Sequence, residues 1–209
     1  MTDPFASLIS PVFQQVIELQ VRLEAGESPR WEAERGQILA ALDEAERKAS
    51  VSTQLTHDFE LARYALVYWI DEILINAPWA HALEWRQHIL EWEIYQERYR
   101  ADKFFEKAVE AEAMAQTDPL ETFYLCVALG FRGKHRDGPG ELRRWGERVY
   151  NRIVASSGQT DKFLPEEAIE RQPLAPLPGK SILLAVSILV SITAIFTLAC
   201  FVFAVPPWD

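Results

Sequence analysis

The sequence predicts an all-α protein, with a body of about seven helices followed by one apolar helix near the C-terminus. Apolar side chains recur at helical spacing along most of the chain, and the alternation typical of strands is absent. Proline follows a capping residue at Ser10-Pro11, Ser28-Pro29 and Asp118-Pro119, which marks three helix starts. Residues 181–205 carry no charge, and such a run is long enough to cross a bilayer as a helix.

The elements of the body follow in order from these signals. Pro78 ends the third helix, because the residue before a proline avoids helical angles. Four glycines between positions 130 and 140 predict a loop. The predicted helices span residues 11–26, 29–49, 53–76, 80–97, 102–116, 119–129 and 141–154.

Beyond the body, the chain divides into three shorter parts. Residues 156–180 are rich in proline and form a predicted linker. Residues 181–205 form the predicted transmembrane helix, and residues 206–209 form a short tail. Lys180 precedes the apolar run and no basic residue follows it, so the positive-inside tendency places the body, residues 1–155, in the cytoplasm. Cys126 lies in the body and Cys200 in the apolar run, so we expect no disulfide.

The charge balance excludes one class of partner. The chain has 31 acidic and 21 basic residues, a net charge of −10. Binding to nucleic acid needs a basic surface that neutralises phosphates, and this composition does not provide one. An acidic body is also repelled by anionic lipid, so we expect the terminal helix to supply the membrane affinity.

Two adjacent acids, Asp71 and Glu72, lie within the third predicted helix. This helix is apolar on both faces, which predicts a central position in the fold. An unpaired buried carboxylate is costly, so each needs a partner, a groove or a proton. They cap a neighbouring helix or pair with arginine, or they line an acidic groove that docks a partner's basic residue. A catalytic pair is disfavoured because adjacent helical positions point about 100° apart. The candidate arginines are Arg63, Arg86 and Arg132.

The remaining candidates give no catalytic, cofactor or metal site. Arg132, Lys134 and Arg136 form a basic cluster in the glycine-rich loop, which is either a solvated turn or a contact loop for an acidic partner. The cluster lacks the phosphate-loop pattern. His81, Glu84 and His88 could share a helical face, but neither a Glu-x-x-His pair nor a His-Glu-x-x-His motif is present. The sequence therefore favours an interaction protein over an enzyme.

The apolar run carries its own packing signal. Ser187 and Ser191 lie four residues apart, and small residues at this spacing allow transmembrane helices to approach closely. We expect self-association or packing against a partner's transmembrane helix.

Four segments resemble a known family. Residues 64–80, YALVYWIDEILINAPWA, resemble the Ile-Asp-Glu…Asn-x-Pro-Trp segment of the DotU/IcmH/TssL family of bacterial type VI and type IVb secretion systems. Residues 102–110, 120–137 and 141–153 resemble its Phe-Phe helix, its Tyr-Leu-Cys segment and the helix after it. The terminal apolar run matches the family's topology.

The resemblance implies a non-enzymatic inner-membrane component of a type VI secretion system. It implies a helical cytoplasmic domain of two packed small bundles, hook-like in outline, with the C-terminus in the periplasm. The implied partners are an IcmF/TssM-like inner-membrane protein and baseplate components resembling TssK and TssE. Asp71, Glu72, Arg132, Lys134 and Arg136 would be the partner-binding residues.

Some positions depart from the family pattern, and other functions stay open. Arg100-Ala101 stands where the family has a glycine pair, and His135 stands where it has tyrosine. The 96–103 loop and its contacts are therefore expected to differ. The alternatives are a type IVb DotU/IcmH component that stabilises an IcmF-like partner, and a membrane-tethered helical metalloprotein or hydrolase.

Overall fold

The computed structural model describes residues 1–156, which form six long helices and two of six residues each. Their bounds are α1 Asp3–Glu24, α2 Trp31–Ala49, α3 Thr53–Asn76, α4 Ala82–Gln87, α5 Leu90–Tyr95, α6 Arg100–Ala113, α7 Asp118–Ala128 and α8 Pro139–Ser156. A 3-10 turn, Gly133–His135, lies between α7 and α8. Residues 1–156 contain no strand, so the all-α prediction is confirmed for this part of the chain.

Helix α1 begins at Asp3, so the start predicted at Ser10-Pro11 is wrong. Pro11 lies inside the helix, where it removes one backbone hydrogen bond at a cost of about 3 kcal/mol. Phe5 and Ile9 precede it and are almost completely buried. Each buried side chain of this size contributes about 1.5–3 kcal/mol, so their packing offsets the cost of the proline.

Helix α3 is central, as its two apolar faces predict. It contacts α1, α2, α4, α5, α6 and α7. Leu66 and Trp69 on one face are fully buried, and so are Val67 and Leu74 on the other. The polar side chains in this stretch of α3 therefore lie in the interior, between the neighbouring helices.

The single helix predicted over 80–97 is instead two helices, α4 and α5. The break falls at Ile89, whose backbone is extended, with φ −62° and ψ 143°. The first backbone N–H groups of a helix have no intrahelical acceptor. In α5 the N–H groups of Leu90 and Glu91 donate to the carboxylate of Asp71 on α3. Helix α5 is thus capped by Asp71, which lies 19 residues before Leu90 in the sequence.

An aromatic cluster joins α6, α7, α8 and the loop before the 3-10 turn. Phe104 stacks on Phe131 with ring centroids 3.9 Å apart, and it meets Phe123 edge to face. Phe105 meets Trp145 of α8 edge to face at 5.5 Å. This cluster fixes the 3-10 turn beside the C-terminal part of α3.

Within residues 1–156, no helix combines the length and the apolar character needed to span a membrane. The predicted transmembrane helix 181–205, the linker before it and the short tail lie outside the described residues. Ser187 and Ser191 lie there as well. Cys126 is buried and has no disulfide partner in the described part of the chain.

Candidate interaction site

Asp71 is 0 % exposed and accepts three hydrogen bonds from α4 and α5. Its Oδ1 accepts from the indole N–H of Trp85 at 3.0 Å and from the backbone N–H of Leu90 at 3.0 Å. Its Oδ2 accepts from the backbone N–H of Glu91 at 2.8 Å. Asp71 therefore acts as a helix cap supplied by another helix, which is one of the roles predicted from the sequence.

Burial raises the pKa of Asp71 to about 6, because the charged form loses its hydration. The hydrogen bonds from Glu91, Leu90 and Trp85 act in the opposite direction, as does the charge of Arg100. Three donors thus bind the carboxylate, and yet its ionisation still weakens the folded state.

Glu72 points away from Asp71 and caps the 3-10 turn. Its Oε1 accepts from the backbone N–H groups of Arg132 at 2.8 Å and Gly133 at 3.1 Å. The Arg136 guanidinium lies 3.6 Å from the same oxygen. Glu72 is 5 % exposed, so it reaches solvent only at its edge. The two acids diverge as neighbouring helical positions must, and each organises a different loop.

The three basic residues of the loop have different roles. The Arg132 guanidinium donates to the carbonyls of Val127 and Phe131, and so folds back on the C-terminal end of α7. Lys134 lies over the ring of Phe105, 5.6 Å from its centroid. Arg136 approaches Glu72 and is 57 % exposed.

A cleft of about 390 Å³ lies where the C-terminal ends of α1 and α3 meet this loop. It brings together Glu72, Arg132 and Arg136 of the predicted partner-binding residues, whereas Asp71 and Lys134 do not line it. The rest of its lining mixes amide, acidic and apolar groups: Gln20, Leu23, Glu24, Ile73, Asn76, Ala77, Pro78 and Gly130. Such a lining suits a polar protein segment that offers both donors and acceptors.

One buried ion pair near Asp71 was missed by the sequence reasoning. Glu91 is 0 % exposed, pairs with Arg100 at 3.3 Å and accepts from the backbone N–H of Tyr99. Burial raises the pKa of Glu91, against the effect of Arg100. The only sequence signal is an acid beside Leu90 in an apolar stretch, which does not identify a partner nine residues away.

The histidines considered for metal binding do not converge. His81 Nδ1 lies 3.8 Å from Glu84, whereas the ring of His88 stacks on Trp31 with centroids 4.9 Å apart. Within the described residues, no group of three or more potential metal-ligating side chains is placed to hold an ion.

The comparison with protein families decides the identity of the fold. A profile described as "Type VI secretion system protein DotU" matches residues 4–205. The chain belongs to the DotU family. The DotU match covers the helical body and extends through the apolar run, and it assigns the chain to a structural component of a type VI secretion system.

A solved structure agrees with the DotU assignment at the level of the fold. The cytoplasmic domain of TssL from Acinetobacter baumannii superposes with a TM-score of 0.62 and 22 % sequence identity. The match covers 73 % of this chain and 98 % of that one. Among curated protein sequences, none matches this chain.

The structure also explains one departure of this chain from the DotU pattern. Arg100, where the resemblance leads us to expect glycine, supplies the charge that neutralises Glu91. Gln96 adopts a left-handed conformation with φ 56° at the end of α5. Residues 100–103, expected to lie in a loop, instead form the first turn of α6, and the short connection 96–99 is held by an ion pair that a glycine pair could not form.

Proposed function

We propose that this DotU-family protein is a non-enzymatic component of a type VI secretion membrane complex, anchored in the bacterial inner membrane by residues 181–205. Its cytoplasmic body would link an IcmF/TssM-like membrane protein to baseplate components that resemble TssK and TssE. The observation that carries the proposal is the family match, because it includes both the helical body and the apolar run.

Within this function, the contact surface is the cleft and the loop beside it. Arg136 is exposed at the mouth of the cleft, and Lys134 is exposed on the same loop. Glu72 holds that loop through two backbone N–H groups and the Arg136 ion pair. Asp71 would serve the partners indirectly, by fixing α5, because its side chain has no exposed surface.

The experiment is an affinity purification of the full-length protein from its native membrane, followed by mass spectrometry. Arg136→Ala with Lys134→Ala removes two exposed positive charges of the loop. Arg86→Ala with Arg30→Ala removes two exposed charges from other helices and loops, and serves as the matched control. We expect the wild type and the control to recover a large IcmF-like protein with baseplate components. The loop variant is expected to lose one of them.

The outcomes separate the alternatives. Recovery of the IcmF-like protein with type IVb components would assign the chain to the type IVb system. Recovery of neither class would contradict the secretion function and leave the fold alone. Equal recovery by the loop variant and the control would show that the cleft and its loop are not the contact surface.

A further inference from the structure

The charge of the body is unevenly distributed along the chain. Residues 1–131 contain 23 acidic and 11 basic side chains, whereas residues 132–152 contain three acidic and seven basic ones. The net charge of −10 therefore conceals a basic region that consists of the 3-10 turn and most of α8. The repulsion from anionic lipid that the net charge of the whole chain predicts does not apply to this region.

Helix α8 turns its arginines to solvent because its apolar side is committed to the core. Leu142, Trp145 and Val149 are buried against α7 and the aromatic cluster. The exposed arginines form what we call the basic face of α8: Arg143, Arg144, Arg148 and Arg152. Arg144, Arg148 and Arg152 lie four residues apart and so form one stripe along the helix, with Arg143 to one side of it.

Interactions within the protein leave the positive charge of these arginines exposed to solvent. Arg148 pairs with Glu112 at 3.3 Å and is still 58 % exposed. Arg143 pairs with Glu147 on its own helix and is 82 % exposed. Arg152 donates to the backbone carbonyl of Met114, which carries no formal charge.

One edge of the exposed side of α8 also presents an aromatic ring. Tyr150 is 51 % exposed and lies on the same side of the helix as Arg143, about 160° around the axis from Arg148, and its ring contacts that of Tyr124 with centroids 6.0 Å apart. Tyrosine is favoured at membrane interfaces because its ring is apolar while its hydroxyl remains hydrated. Tyr150 thus adds one interfacial ring beside Arg143, at the edge of the exposed side of α8.

We infer that the basic face of α8 binds the anionic headgroup surface of the bilayer. The inference rests on the proposed function, because it takes residues 181–205 as the membrane anchor. Only 24 residues, 157–180, separate α8 from that run. Even a fully extended chain of this length reaches no more than about 86 Å. The basic region is thus the part of the described chain that lies nearest in sequence to the bilayer, and its charge complements anionic lipid.

The test uses the full-length protein in vesicles of phosphatidylcholine alone or mixed with phosphatidylglycerol. A fluorescent label on Asn151→Cys, which lies exposed between the arginines, is quenched by lipids that carry a spin label on the headgroup. Cys200→Ser removes the other reactive thiol, and Cys126 is buried. We expect at least about twofold more quenching in the anionic vesicles, and loss of the difference at about 0.5 M salt.

Matched variants isolate the basic face. Arg143→Gln, Arg144→Gln and Arg148→Gln together should reduce the quenching to the level in phosphatidylcholine. Arg30→Gln, Arg47→Gln and Arg86→Gln remove the same charge elsewhere and should leave it unchanged. A thermal melt followed by circular dichroism shows that both triple variants are folded.

Several results would overturn the inference. Vesicle flotation with equal quenching in both lipid mixtures would overturn it while leaving the anchor intact. Equal quenching with loss of a protein partner from the triple variant would assign the basic face to an acidic protein instead. Failure to float with either vesicle type would contradict the anchor and, with it, this inference.

Discussion

Asp71 shows how a buried carboxylate can serve the fold at an electrostatic cost. Three hydrogen bonds bind it, but the loss of hydration still raises its pKa from 3.8 to about 6. The folded protein therefore holds this proton more tightly than the unfolded chain does. The resulting stability is fully present below pH 3.8 and is lost as the pH rises through about 6.

We predict a pH-dependent stability difference between the wild type and Asp71→Asn. The pKa change corresponds to about 3 kcal/mol, and most of it is lost between about pH 4 and about pH 7.5. The stability of the wild type relative to the variant should thus fall by about 2–3 kcal/mol over this range. Urea unfolding in detergent at a series of pH values measures it.

The control for this prediction is Glu27→Gln, which removes an exposed acid. Its stability difference from the wild type should change far less with pH. A wild-type advantage over Asp71→Asn that stays constant from acid to neutral pH would show that Asp71 titrates as an ordinary carboxyl.

Gly133 is the second residue on which the site depends. Its φ is +51°, and a Cβ there would lie 2.8 Å from both the Ala101 carbonyl oxygen and the Phe131 ring. We predict that Gly133→Ala lowers the free energy of unfolding by about 2–3 kcal/mol, because it combines backbone strain with a collision. Gly140→Ala in α8 meets no atom within 4 Å and should be neutral or stabilising by about 0.5–1 kcal/mol. Urea denaturation measures both variants. Equal changes in their free energies of unfolding would contradict this account of the loop.

At the scale of elements, α1 contains a proline that its packing tolerates. Pro11 has no N–H to donate to the Ser7 carbonyl, while Pro4 lies in the first turn, where that N–H has no helical acceptor anyway. Burial of Phe5 and Ile9 keeps the helix continuous across the defect. The stability of α1 is therefore limited by one missing hydrogen bond.

We predict that Pro11→Ala stabilises the protein by about 1–2 kcal/mol. It restores the hydrogen bond, and a more flexible unfolded chain offsets part of the gain. Pro4→Ala recovers no bond and should leave the stability unchanged or slightly lower. Thermal melts of the two variants provide the measurement. A melting temperature for Pro11→Ala no higher than that for Pro4→Ala would contradict the prediction.

At the scale of the whole molecule, the proposed anchor would contribute a helix-packing surface of its own. Ser187 and Ser191 would let a second transmembrane helix approach closely. We predict that Leu at both positions weakens association of the full-length protein in a membrane two-hybrid assay. Substitution of Ser181 and Thr197 by Leu is the control, because these positions lie outside that pair. An unchanged signal from the Ser187 and Ser191 variant would assign these serines to the lipid-facing side.

The sequence by itself determined the all-α class of residues 1–156, the bounds of α3 and its central place. A long helix that is apolar on both faces has few other solutions. It also pointed to the family, which the comparison confirmed, because four ordered segments matched together. The prediction of a membrane-spanning run at 181–205 likewise rests on local hydrophobicity alone, and it stays a prediction.

Only the tertiary structure decided what the polar groups of the body do. It showed that Asp71 caps α5 and divides the expected helix 80–97, that Glu72 caps the 3-10 turn, and that Glu91 pairs with Arg100. The physical reason is that helical periodicity is a local property, readable within a few turns. A buried carboxylate instead takes whichever donors the packing of distant helices brings to it, and that choice is made in three dimensions.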